Sequence, residues 1–460
     1  MSRTRVFRVV ATSARLTIGA AVAVACAVGV VAAIHAPWPE VAHTPAQVEV
    51  DPIPSDPVLV CNGDFRALGR DSSNPLSMRS AGSPSLTEGG TSGAMSSTSL
   101  SAPDLADAGE VRRLTDAVDD RMAPLIAATE SLTLTSSDLA GFAALPCGES
   151  AMESWLVGGS VDTGTKDLIT LTNASAVTST VTLAVYGESR STRTVIVPAM
   201  TQVALSLASV AAGNEAPIVK VSTVGAPVRA VLQSSFVRTL DPAGIDLQDA
   251  VAGPQQHPVI VGVQSFDGDG DSTDQTVLRM LSPGVDTQAT VSVHATGSTA
   301  VVDEFSVPLP ADTPTEVSLP DLDPGSYSVE IAAEAPVVAA VRQQQGFGSG
   351  SDFAWVTPAP EISTDVLFAV PAGPTPVLQL VNTDDAEARV TIEAIEGGTD
   401  QEIVVPAGGS ATVDLAEETV YRLRTSDPVR AAVTMIGDGA VAAWPLQPSA
   451  SAAQSITVYP

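Results

Sequence analysis

The stretch Asp267-Gly268-Asp269-Gly270-Asp271-Ser272-Thr273-Asp274 holds the densest set of side chains that could do chemistry. Carboxylates at alternate positions of a glycine-rich loop suit a hard, oxygen-liganded cation, and calcium at extracellular millimolar levels is the ion they would take. Asp267, Asp269, Asp271 and Asp274 are the candidate ligands. The match to a helix-loop-helix calcium site is partial. Ser272 stands where that loop turns on glycine, Leu278 stands where it supplies a bidentate glutamate, and no helical pattern flanks it. The competing reading is a plain acidic turn between the strands near Val261 and Val277.

Other candidates for chemistry are thinner. His35, His43, His257 and His294 are not spaced as a metal-binding pair on one element. No Gly-x-Ser-x-Gly elbow presents a serine nucleophile. Gly346-Phe347-Gly348-Ser349-Gly350 resembles a phosphate loop in glycine content alone, with no lysine and no following helix, and reads as a flexible connection. Asp384-Asp385 falls at a turn, and spacing alone does not put two carboxylates across a cleft. Trp155, Trp355 and Trp444 occupy comparable places in successive segments, which suggests core or interdomain packing rather than a sugar platform. The expectation is a protein without catalysis and without a cofactor, calcium being the one ion with a candidate site.

Of the three cysteines, Cys26 lies in an apolar run. Cys61 and Cys147 follow that run and are expected to pair, since disulfides persist outside the cytoplasm. Two free thiols are the alternative. No Cys-x-x-Cys supports redox chemistry or zinc.

The elements that would position these residues are strands, and their pattern is written three times. Leu168–Asn173 and Val377–Asn382 end on asparagine, a residue that suits a turn through its own side-chain hydrogen bonds. Val181–Tyr186 and Val390–Ile395 alternate apolar and polar residues, as a strand with one buried face does. Val195-Ile196-Val197-Pro198 and Ile403-Val404-Val405-Pro406 stop at proline, which lacks the ladder N–H. Each copy closes with Pro-Val opening an apolar strand, at Pro227-Val228, Pro336-Val337 and Pro428-Val429. The middle copy, around Val277–Leu281 and Thr290–Val293, diverges most. Repeats of roughly 100 residues are large enough to hold separate sandwich cores, so the chain reads as beads on a stalk.

The ends and the balance of charge fix the setting. Arg3, Arg5, Arg8 and Arg15 precede an uncharged run from Leu16 to Ile34, close to the ~20 residues that span ~30 Å of hydrocarbon. Arginines before it and acidic sequence after it place the N-terminus in the cytoplasm and the bulk outside. A cleaved signal peptide ending near Val31-Ala32-Ala33 is the alternative. With 22 basic against 52 acidic residues the net charge is −30, which repels phosphate backbones and argues against nucleic acid as a partner.

Residues 139–173 carry a family resemblance. They contain Leu139-Ala140-Gly141-Phe142-Ala143-Ala144-Leu145-Pro146-Cys147-Gly148-Glu149, then Trp155-Leu156-Val157-Gly158-Gly159, then Leu171-Thr172-Asn173. This order resembles a family of membrane-anchored secreted proteins from high-GC Gram-positive bacteria whose function is unknown. The resemblance extends from about Cys61 to the end. It implies a membrane anchor and a β architecture, and it brings no activity and no binding residues.

The expected fold is all-β: tandem Ig-like antiparallel β-sandwich modules behind one N-terminal transmembrane helix. The expected segments are a cytoplasmic basic segment 1–15, a transmembrane signal-anchor 16–35 in the bilayer, a proline-rich stalk 36–57 and a proximal β region 58–150. Three sandwiches follow at 151–250, 251–355 and 356–460. Within the proximal region, 71–101 is low in large apolar residues and is expected as a mobile loop. Residues 104–122 suggest a short helix capped by Asp104, with a strand pair from Leu125 to Leu134 equally favoured. The expected role is a single-pass, extracytoplasmic scaffold of the cell envelope that meets an envelope protein or glycan. A polysaccharide-binding subunit of envelope glycan assembly is the alternative.

Overall fold

The inward residues of Ser179–Tyr186, namely Val181, Leu183 and Val185, are buried, while the alternate residues Thr180 and Thr182 are exposed. This period of two builds nearly every element of the fold. The computed structural model describes residues 4–35, 48–50, 54–74, 76–106, 109–119, 122–267, 275–319, 322–449 and 456–458. They fall into two units, Met1–Pro52 with Gln454–Pro460, and Ile53–Ala453.

In the smaller unit, the helix Thr4–His35 contains Thr17–Ile34, 18 residues long and apolar enough to cross a membrane. Such a helix serves as an anchor or as a signal sequence. Val48–Val50 pairs antiparallel with Ile456–Val458, so the segment after the helix and the C-terminal segment share one ladder. Most of the expected stalk, 36–47 and 51–53, lies outside the described residues.

The threefold pattern becomes three sandwiches of one topology. They run from Glu153–Leu156 to Asp241–Asp249, from Val259–Ser265 to Phe353–Val356, and from Val366–Val370 to Ala440–Pro445. Counting strands in chain order within each, the first, sixth, third and fourth form one sheet, and the fifth, second, seventh and eighth form the other. No sheet closes into a barrel among the described residues. The two sheets of each sandwich share a core. Leu183 and Val221 meet Leu171 and Leu232 in the first, Val291 and Val329 meet Leu278 and Val341 in the second, and Val390 and Leu423 meet Leu380 and Val433 in the third.

The Pro-Val openings precede the seventh strands Arg229–Arg238, Val338–Gln344 and Val429–Gly437, which run between the second and eighth strands. Proline is tolerated there because it stands before the ladder begins. Asn173 and Asn382 do the same work in two copies. Asn173 Nδ2 donates to the carbonyls of Val177 (2.8 Å) and Val197 (3.1 Å), and its Oδ1 accepts from Ser175 N (3.0 Å). Asn382 repeats this with Ala386 (2.7 Å), Val405 (3.3 Å) and Asp384 N (2.9 Å). The glycine-rich segment 346–350 is a hairpin turn between the seventh and eighth strands of the second sandwich, rather than a connection between copies.

The proximal region corrects two expectations. Residues 71–101 contain the strands Met78–Gly82, Ser85–Gly90 and Ser96–Leu100 instead of a mobile loop. Their small polar side chains bury little, but their backbones pair with Phe65–Leu68, Ile126–Thr135 and Val111–Thr115. Within 104–122 there is a strand, Val111–Thr115, where a helix was one of the expectations.

The modules do not hang as beads. Phe65 and Leu145 of the proximal region pack on Val231 and Ile245 of the first sandwich. Trp155 and Ile218 of the first meet Leu281, Val338 and Trp355 of the second. Val259 and Val261 of the second meet Val381 and Ala432 of the third. The third returns to the proximal region, where Phe142 joins its core and Leu367, Ala369 and Val420 cover Ala127. Sheets apolar on their outer faces as well as their inner ones must be covered by neighbours, which is why the four modules close on one another.

Candidate functional site

Asp352 stands where all four modules meet. It precedes the last strand of the second sandwich and is 0% exposed. Its Oδ2 accepts from Phe142 N of the proximal region (2.9 Å) and from Val441 N of the third sandwich (2.9 Å). Its Oδ1 accepts from Ile245 N of the first sandwich (3.0 Å). One carboxylate therefore joins backbone from every other module. Gly141 (φ +140°) and Gly244 (φ +126°) make room for it, since a Cβ at either would stand 2.5 or 2.8 Å from Asp352 Oδ1. Burial pushes the Asp352 carboxyl well above the usual range, opposed by the N–H donors that favour its charged form.

A second buried group surrounds the expected disulfide, which the structure contains: Cys61 is bonded to Cys147. Glu130, on the strand Ile126–Thr135, accepts from Asn62 N (2.7 Å) and Gly63 N (3.1 Å). Burial raises its pKa. Glu130 and the two sulfurs lie close together, but disulfide sulfurs offer no thiolate to a metal. Arg229, 3% exposed, donates to the carbonyls of Val60 and Pro146 and pairs with Asp249 at 3.4 Å. A cavity of about 380 Å³ lies alongside, walled by residues of the proximal region, the first and third sandwiches and the linkers flanking the second.

A third group crosses from the first sandwich to the second. Arg279 donates to the carbonyls of Gly159 (2.8 Å), Pro217 (3.2 Å) and Val157 (3.3 Å), bonds Glu316 through Nε (2.9 Å) and lies 4.6 Å from the Trp355 ring centre. Asp246 accepts from Trp355 N (2.9 Å), and Asp167 accepts from Ser160 N (2.7 Å) and Ser235 N (3.2 Å). Burial pushes Asp167 up to about 7 and Asp246 up to about 8, the latter also raised by Asp167.

Of the candidate calcium ligands, Asp267 is exposed just after the second sandwich's first strand, Val259–Ser265. Asp269, Asp271 and Asp274 lie outside the described residues. Trp155 and Trp355 pack between sandwiches and Trp444 in the third core, which agrees with their expected roles. The buried charges were not foreseen. Their signal was present: Arg279 interrupts Val277-Leu278-Arg279-Met280-Leu281, and Glu130 stands among small residues mid-strand. In an isolated sandwich Arg279 reads as facing water, and carbonyls of the first sandwich meet it instead.

No curated protein matches the chain. The model of a family of unknown function, DUF5719, matches residues 101–417, which span part of the proximal region, the first two sandwiches and most of the third, and the chain belongs to that family.

Proposed function

We propose that the protein is a non-catalytic scaffold of the cell envelope, held outside the membrane of a high-GC Gram-positive bacterium by its N-terminal helix. The observation that carries this reading is the use made of the buried charged groups. Asp352, Glu130, Asp246 and Arg279 each take backbone partners that hold modules or strands together. A catalytic carboxylate needs its lone pairs aimed at a substrate instead. The fourth strands Ser191–Val197, Val301–Leu309 and Gln401–Val405 lie at the edges of their sheets and expose Ile196, Val302 and Val404. Such edges accept an added strand from a partner. The burial of Trp155, Trp355 and Trp444 favours a protein partner over a polysaccharide, which would stack on exposed rings.

In-cell crosslinking with mass spectrometry tests the reading. Envelope proteins should be captured by the wild type and lost when Ile196 and Val404 become lysine. Capture of no envelope component would remove the scaffold role. Protease added to intact spheroplasts should cleave within residues 150–460, and protection of that span would reverse the topology. The scaffold needs no cofactor. Calcium at Asp267, Asp269, Asp271 and Asp274 would be an accessory ion, and a calorimetric titration with no heat at millimolar calcium removes it.

A further inference from the structure

The cavity beside Arg229 has a mixed lining, the larger part of it apolar. Leu59, Leu125, Leu367, Phe368, Trp444 and Leu446 supply apolar surface from the proximal region and the third sandwich. Gly148, Ser150, Arg229 and Asp249 line the other part. Two donors there are buried without a hydrogen-bond partner, Arg229 Nε and Ser150 Oγ. A Cβ added to Gly148 would stand 3.2 Å from both Arg229 Nε and Asp249 Oδ2, so any side chain at this position would crowd the orphaned donor. Buried polar groups are nearly always satisfied, so two orphans on one cavity wall ask for an acceptor. Asp249 at 3.4 Å already balances the guanidinium charge, so a neutral acceptor fits without burying a further charge. The volume falls in the range of small-molecule sites.

We propose that this cavity binds an uncharged acyl amphiphile, its carbonyl oxygen accepting from Arg229 Nε and Ser150 Oγ–H and its hydrocarbon chain lying against Leu367, Phe368 and Leu446. The site is independent of the scaffold reading, because its occupant touches none of the exposed edge strands.

The test uses the full chain in lipid nanodiscs and a diazirine-bearing decanoyl amide, with labelled peptides mapped by mass spectrometry. Labelling should concentrate on 357–369 and 444–449 and be competed by decanamide. An alkyl diazirine without the carbonyl should label those peptides at least roughly tenfold less, because it forgoes both hydrogen bonds and leaves the two donors unpaired. Gly148→Ala and Ser150→Ala should each reduce the labelling, Ser150→Ala at unchanged melting temperature. Ser150→Ala deletes a hydroxyl with no partner in the fold, so it keeps the test valid if the glycine variant folds poorly. Labelling confined to the N-terminal helix, or equal for both probes, or equal in wild type and Ser150→Ala, would overturn the proposal.

Discussion

Three backbone N–H groups from three modules converge on the Asp352 carboxylate, so truncating it strands donors in every neighbour at once. Each stranded donor costs about 1–3 kcal/mol, and Asp352→Ala should lower stability by about 3–5 kcal/mol. Urea denaturation measures this, and a change under 1 kcal/mol would show that the junction is held otherwise. Gly244→Ala should be comparably harmful, because its Cβ would enter the space of Asp352 Oδ1 from a left-handed backbone position. Asp167 and Asp246 predict a pH dependence. Their folded pKa values, about 7 and about 8, lie above the ordinary 3.8. Between those limits the folded state holds more protons than the unfolded state, so stability falls as pH rises. Their contribution is complete below about pH 4 and is lost as pH passes through 7 to 8. Melting temperature should therefore decline from pH 5 to pH 9, and the Asp167→Asn, Asp246→Asn double variant should show a flatter profile. An unchanged slope in the variant would assign the dependence to other carboxyls.

At the scale of elements, the strands were legible wherever one face was apolar and the other wet. Val390–Ile392 and Val181–Val185 announce themselves by alternation, and the Pro-Val openings mark the seventh strands in all three copies. Ser85–Gly90 and Ser96–Leu100 were not legible, because serine, threonine and glycine carry no period when a strand is specified by its neighbours. Such strands contribute ladder bonds and little apolar burial, so they depend on the proximal region being closed by other means. The Cys61–Cys147 bridge closes it across a separation of 86 residues. The chain-entropy model assigns a loop of that size ~4–5 kcal/mol. Replacing both cysteines by alanine should lower stability by about 3–5 kcal/mol. Hydrogen exchange should quicken first in 78–100 while 168–173 and 378–381 keep their protection. Uniform loss of protection across the chain would mean that the bridge stabilises the whole body rather than the weakest strands.

At the scale of the whole molecule, chain connectivity explains three of the four joints between modules, because consecutive modules are tethered side by side. The joint between the proximal region and the third sandwich has no such help and must be supplied by surface chemistry alone. Ala127 packs against Leu367, Ala369 and Val420, while Thr129 Oγ1 donates to Ala369 O (2.8 Å) and Ser131 Oγ to Ala372 O (2.7 Å). This contact was hidden in the sequence, since Leu367 and Ala369 read as one more apolar strand with no mark of which neighbour covers them. A charge introduced there should open the circle without unfolding its members, because each sandwich keeps its own core. Leu367→Arg combined with Thr129→Val removes an apolar contact and a hydrogen bond and places a cation against a dry surface, a cost of several kcal/mol. The far-UV circular dichroism should be unchanged, while crosslinks between residues 126–135 and 366–370 should disappear and the melting transition should split, since modules no longer closed on one another unfold separately. A single transition with those crosslinks intact would mean that Asp352 and its neighbours hold the four modules together without the closing joint.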